Sequence, residues 1–135
     1  MVIVDTSVWI EYFNRPESPE KYAVDALIDT DTAVLVGIVL SELIQACRTS
    51  KEAESILWHL GALRFLEMNF ASWRRTGELS FALRRRGLTL PLSDLIVAAL
   101  ALEHGCSVFT LDPHFRQILG VKLHQLPKVR KRSRQ

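Results

Sequence analysis

Cysteine is scarce in this 135-residue chain, and its scarcity excludes the first set of classes. Cys47 and Cys106 are the only two, too few for the disulfide framework of a small secreted domain. The four histidines, His59, His104, His114 and His124, form no HxxxH pair, and neither cysteine belongs to a CxxC. No zinc site is legible in that pattern. Long apolar runs are missing too. The longest, Leu95 to Leu102, has eight residues, against the roughly 20 that a membrane-crossing helix needs. Met1-Val2-Ile3-Val4-Asp5 offers no basic region and no cleavable apolar segment. The expectation is a cytoplasmic protein without membrane contact, its thiols reduced.

What is present is an ordinary globular mixture, 48% hydrophobic and 24% charged. A domain near this size buries roughly two-thirds of the surface that its unfolded chain exposes, enough for one core. The net charge of +2 conceals a division. Lys128, Arg130, Lys131, Arg132 and Arg134 supply five of the 17 basic residues, so residues 1–127 hold 12 against 15 acids, a net of −3. We read residues 1–126 as one folded domain and 127–135 as a basic tail.

Short apolar runs alternate with longer segments of helical period, the pattern of an α/β fold. Val2-Ile3-Val4, Ala33 to Val36 and Cys106 to Leu111 read as strands, with Leu63 to Met68 and Val121 to Leu126 as weaker ones. Helices are expected from Val8 to Phe13, Glu20 to Ile28, Ile38 to Cys47, Lys51 to Leu60, Ala71 to Arg86 and Leu92 to His104, with a short one after Asp112-Pro113. Strands separated by helices pair in parallel through right-handed crossovers, giving one sheet covered by helices.

Four carboxylates carry the functional signal. Asp5 and Asp112 each stand just past the end of a predicted strand, at the sheet edge where α/β proteins bind ligands. Glu42 lies early in the helix that follows the second strand, which begins at the same edge. Asp94 opens the helix before the Cys106 strand, and no strand is evident ahead of that helix to place it. Acids gathered in one pocket repel one another, and a hard divalent cation, Mg²⁺ or Mn²⁺, relieves the repulsion. Each residue also has a plainer reading. Asp5 and Asp112 suit helix N-caps, and Asp94 suits the positive end of a helix dipole. Glu42 suits a solvated helix face, although Leu40, Leu43 and Ile44 surround it in sequence. Trp9, Phe13, Trp58, Leu60 and Phe70 suit a core or an interface, with core the default for any one of them.

Four segments in order, Val2-Ile3-Val4-Asp5-Thr6-Ser7, Leu40-Ser41-Glu42-Leu43, Ser93-Asp94-Leu95-Ile96-Val97-Ala98-Ala99 and Thr110-Leu111-Asp112-Pro113-His114-Phe115, give the chain its resemblance. It resembles the PIN-domain ribonucleases, most closely the VapC-type toxins, over nearly all its length up to about Leu126. The resemblance implies a three-layer α/β/α sandwich with a central, mostly parallel sheet of about five strands. It implies that Asp5, Glu42, Asp94 and Asp112 bind Mg²⁺ or Mn²⁺ and catalyse cleavage of RNA phosphodiesters, with Thr6, Ser7 and Thr110 orienting the site. It further implies a homodimer and a cognate VapB-type antitoxin that inserts a segment into the site. His114 stands where some members carry a further acid, which leaves open whether one ion binds or two.

Carboxylates repel phosphate, so basic neighbours are needed to hold RNA. Arg84, Arg85 and Arg86 at a helix end are candidates, as are Lys128 and Arg130 of the tail. Helix-dipole complementation explains the arginines equally well. Two other functions share the pattern: a housekeeping PIN nuclease of RNA maturation, and a catalytically silent RNA- or protein-binding module. A haloacid dehalogenase-type phosphoryl-transfer enzyme also opens on strand-Asp, but it needs a second Asp where this chain has Ser7.

Overall fold

Val2–Val4 forms β1, and all three residues are buried because parallel strands in the middle of a sheet are covered on both faces. Ala33–Val36, equally apolar and equally buried, forms β2 beside it. The structure is a computed structural model that describes residues 1–127. Arg64–Leu66 (β3), Ser107–Phe109 (β4) and Lys122–Leu123 (β5) complete a five-stranded sheet of order β3-β2-β1-β4-β5, with every pairing parallel. The two weaker strand candidates are the two edges, which explains their mixed composition: Arg64 and Phe65 face solvent, as does Lys122.

Six helices connect the strands: α1 (Thr6–Asn14), α2 (Pro19–Asp29), α3 (Gly37–Gln45), α4 (Ser50–Leu60), α5 (Phe70–Arg85) and α6 (Leu92–His104). The expected α/β/α layering is thus present. Local chemistry sets their ends. Ser18, Thr49 and Asn69 cap α2, α4 and α5 through their side chains. Gly87, with φ of +81°, lets the chain leave α5, and the Leu88 N–H closes the end on the Leu83 carbonyl at 2.9 Å. α6 is the most extensively buried helix, covered continuously from Asp94 to Ala101. It runs antiparallel to α5. Ser72 near the start of α5 hydrogen-bonds Glu103 near the end of α6 at 2.7 Å.

The core holds Trp9, Phe109 and Phe115 with no appreciable exposure, and Leu60 joins them. Phe13 packs partly buried against it. Trp58 and Phe70 do not follow the core expectation, being 81% and 84% exposed. Each lies on the outer side of an amphipathic helix whose inward positions are filled by Ile56 and Leu60 or by Ser72 and Thr76. None of the helices among the described residues is long and apolar enough to cross a membrane. The expectations for the tail, including Lys128 and Arg130, lie outside the described residues.

Candidate active site

Sheet order decides where the site forms. From β1 the chain moves outward through β2 and β3, then crosses back to place β4 on the other flank of β1. The gap between β1 and β4 is the point at which an open parallel sheet has room for a ligand at its carboxyl edge. Asp5 follows β1 and Asp112 follows β4 by three residues. α6 enters from the same edge because it must descend to feed β4, and this puts Asp94, in its first turn, beside them.

Asp5 occupies the N-cap position of α1 by backbone geometry, but its carboxylate makes no cap hydrogen bond. It is 6% exposed and turns across the sheet edge, accepting from Thr110 Oγ1 at 2.8 Å and Ser7 Oγ at 3.1 Å. Thr110 Oγ1 in turn accepts from the Asp112 N–H at 3.0 Å, and Ser7 Oγ accepts from the Leu111 N–H at 3.0 Å. Thr110 and Ser7 therefore lace the β1 turn to the β4 turn. Asp112 does cap its short 3₁₀ turn, Pro113–Gln117, accepting from the His114 N–H at 2.9 Å. Glu42, half-buried on α3, accepts from Thr6 Oγ1 at 2.8 Å.

Asp94 is 8% exposed, which rules out a solvated acid that merely complements the helix dipole. Burial pushes its carboxyl above the usual carboxylate range. The hydrogen bond from His114 opposes that shift, while the charges of Asp112 and Asp5 add to it. His114 Nδ1 lies 2.8 Å from Asp94 Oδ2 and 3.0 Å from Asp112 Oδ1. The Asp94 hydrogen bond, with the neighbouring acids, holds its imidazole above the ordinary histidine value.

The expected acids thus separate into an inner and an outer set. Asp94 and Asp112, with His114, present ligand atoms all within 4.8 Å of one another, a group able to hold a metal ion. Asp5 stands close enough for its charge to act on Asp94. Glu42 lies outside this group and is tied by its hydrogen bond to Thr6, the residue after Asp5. His114 is the member that the sequence does not single out as a site residue. Its signal there is its place just after Asp112-Pro113, where some members of the family carry a further acid.

The surroundings are mixed. Thr110, Asp112, Arg116 and His124 line a cleft of about 370 Å³. Arg84, Arg85 and Phe81 share a groove of about 600 Å³ with Leu92, two residues before Asp94. The Arg85 guanidinium lies 5.7 Å from the Phe81 ring centre, and both arginines are exposed. A third groove, about 580 Å³, runs past Ser41, Phe65, Trp73 and Ile96.

This arrangement of strands and crossovers has its counterpart among known proteins. Residues 2–120 match the model of the PIN domain, and the chain belongs to that family. Among individual relatives it is 26% identical over 125 residues to a VapC ribonuclease of Mycobacterium bovis and to ribonuclease VapC11 of Mycobacterium tuberculosis, the alignment covering 90% of this chain and 93% of each relative. Its fold is similar to the solved VapBC2 from Rickettsia felis bound to a promoter DNA fragment, with a TM-score of 0.79 at 21% identity over 92% of this chain and 98% of that one. The DNA-bound VapBC of Salmonella typhimurium gives 0.77 at 22% identity, over 91% and 96% of the two chains.

Proposed function

We propose that this protein is a metal-dependent endoribonuclease and the toxin of a VapBC-type toxin–antitoxin pair. The observation that carries the reading is the buried Asp94 gathered with Asp112 and His114 at the β1–β4 gap, within reach of the Asp5 charge. Acids gathered in this way, two of them buried, cost folding energy that a bound cation offsets. Hard oxygen donors fit Mg²⁺ or Mn²⁺. Asp94 and Asp112 would hold the ion, with Asp5 and Glu42 lining it. Bound there, the ion would supply Lewis acidity and lower the pKa of a coordinated water.

The protein's own residues do the positioning. Thr110 and Ser7 fix the Asp5 carboxylate by two donated hydrogen bonds, so it cannot swing onto the α1 backbone as a cap. Thr6 fixes Glu42. Arg84 and Arg85, opening beside the start of α6, are suited to RNA phosphates, and Arg86 extends the same basic rim. The tail, through Lys128 and Arg130, would add salt-sensitive affinity.

The antitoxin reading is supported by similar solved structures that are toxin–antitoxin systems. It is supported also by exposed apolar side chains among the described residues, Trp58, Phe70 and Trp73. Such surface suits a second copy and an antitoxin segment. We propose a cytoplasmic location, in keeping with an RNA substrate. The test is cleavage of RNA by the purified protein. Activity should require Mg²⁺ or Mn²⁺, vanish with a chelator and return when the ion is restored. Cleavage that persists at full rate after exhaustive chelation would contradict the proposal.

A further inference from the structure

His114 departs from an all-acid site, and its geometry gives that departure a consequence. Two ligands on adjacent corners of an octahedron with bonds of about 2.0–2.1 Å stand about 2.9 Å apart. The His114 Nδ1 separations from Asp94 Oδ2 and Asp112 Oδ1, 2.8 and 3.0 Å, are of that size. The imidazole is also held in place from behind. The backbone N–H of His114 donates to Asp112 Oδ1, and the next residue, Phe115, is wholly buried and anchors the 3₁₀ turn in the core. The other histidines are placed elsewhere: His59 against Phe13 and Trp58, His104 beside Glu103, and His124 against Phe109.

We propose that His114 Nδ1 is a direct ligand of the metal, giving a face of two carboxylates and one imidazole that favours Mn²⁺ over Mg²⁺. Mg²⁺ requires hard oxygen donors and gives up its waters reluctantly. A nitrogen donor in the set costs Mg²⁺ more than it costs Mn²⁺, whose successors in the divalent series bind imidazole still better. This inference rests on the site being a divalent-metal centre. The rival account of the same distances is an imidazolium that only hydrogen-bonds the two acids and leaves when the ion enters.

The experiment uses the full-length chain with Mn²⁺ as the probe. Pulsed electron paramagnetic resonance detects a nitrogen bound directly to Mn²⁺, and ¹⁵N-histidine labelling assigns it. The wild type should show the histidine coupling, and His114→Asp and His114→Gln should both lack it. Mn²⁺ titration with Mg²⁺ competition should show the Mn²⁺/Mg²⁺ affinity ratio falling about tenfold in His114→Asp, where oxygen replaces nitrogen. Bound Mn²⁺ without a histidine coupling, or a ratio unchanged in His114→Asp, overturns the inference and leaves the metal-centre reading standing. No Mn²⁺ binding by the wild type overturns both.

Discussion

Replacing Thr110 with valine removes one hydroxyl, keeps the shape of the side chain, and breaks the lace between the two halves of the site. The Thr110 hydroxyl donates to the Asp5 carboxylate at 2.8 Å and accepts from the Asp112 N–H at 3.0 Å. A hydrogen bond to an ionised group contributes about 1.5–3 kcal/mol, and one between neutral groups about 0.5–1.5 kcal/mol. Asp5 keeps one donor, Ser7, at 3.1 Å, and water reaches the half-buried Asp112 turn. The expected loss therefore lies toward the lower end, about 2 kcal/mol. For a chain of this size that is a fall in Tm of about 6–8 °C. Urea unfolding followed by tryptophan fluorescence measures it, because Trp9 is fully buried while Trp58 and Trp73 are already exposed. Thr110→Ser keeps the hydroxyl and should retain most of the stability. Metal affinity should fall about 10–100-fold in Thr110→Val, as it does when the partner that orients a ligand is removed. A stability change within about 0.5 kcal/mol, the size of an ordinary surface substitution, would refute the reasoning. So would equal losses for Thr110→Val and Thr110→Ser.

Further outcomes follow from other parts of the molecule. His114 binds its proton more tightly folded than unfolded. The stability it gives the metal-free protein is fully present below the ordinary histidine value and is lost as pH rises through the raised one. The Tm gap between wild type and His114→Gln should therefore narrow on going from pH 6 to pH 9. Trp9→Ala should cost about 3–5 kcal/mol in urea denaturation, the range for emptying a large aromatic site in a core. Arg84→Gln combined with Arg85→Gln should weaken binding of single-stranded RNA and flatten its log–log salt dependence by about 1.4, at about 0.7 for each phosphate no longer neutralised. An unchanged slope would return those arginines to the plainer role of dipole complementation.

The sheet centre is legible in the sequence because β1 and β2 are buried on both faces and show it as unbroken apolar runs. Asp5 and Asp112 are legible for the same reason, since each punctuates a strand end. Asp94 is not placed by that logic. No strand leads directly into α6, and its position at the carboxyl edge follows only once α6 is seen to lie antiparallel to α5 and lead down into β4. His114 is hidden because its partner Asp94 is 20 residues away and on another element. Its sequence neighbourhood marks it only as standing where some members of the family carry a further acid. Trp58 and Phe70 resemble core residues by type alone. Which side of α4 and α5 faces the sheet is a tertiary fact, decided by Leu60 and Ser72.

The central claim is that the acids at the β1–β4 gap are the catalytic centre of a ribonuclease. Asp94→Asn tests it most directly. The folded environment favours the uncharged form of this side chain, so the metal-free variant should melt no lower than the wild type. Removing a metal ligand forfeits several kcal/mol of transition-state stabilisation, and with Mn²⁺ or Mg²⁺ present the RNA cleavage rate should fall by about 10²–10³. Wild-type cleavage rates in both Asp94→Asn and Asp5→Asn, each shown to be folded, would contradict the account.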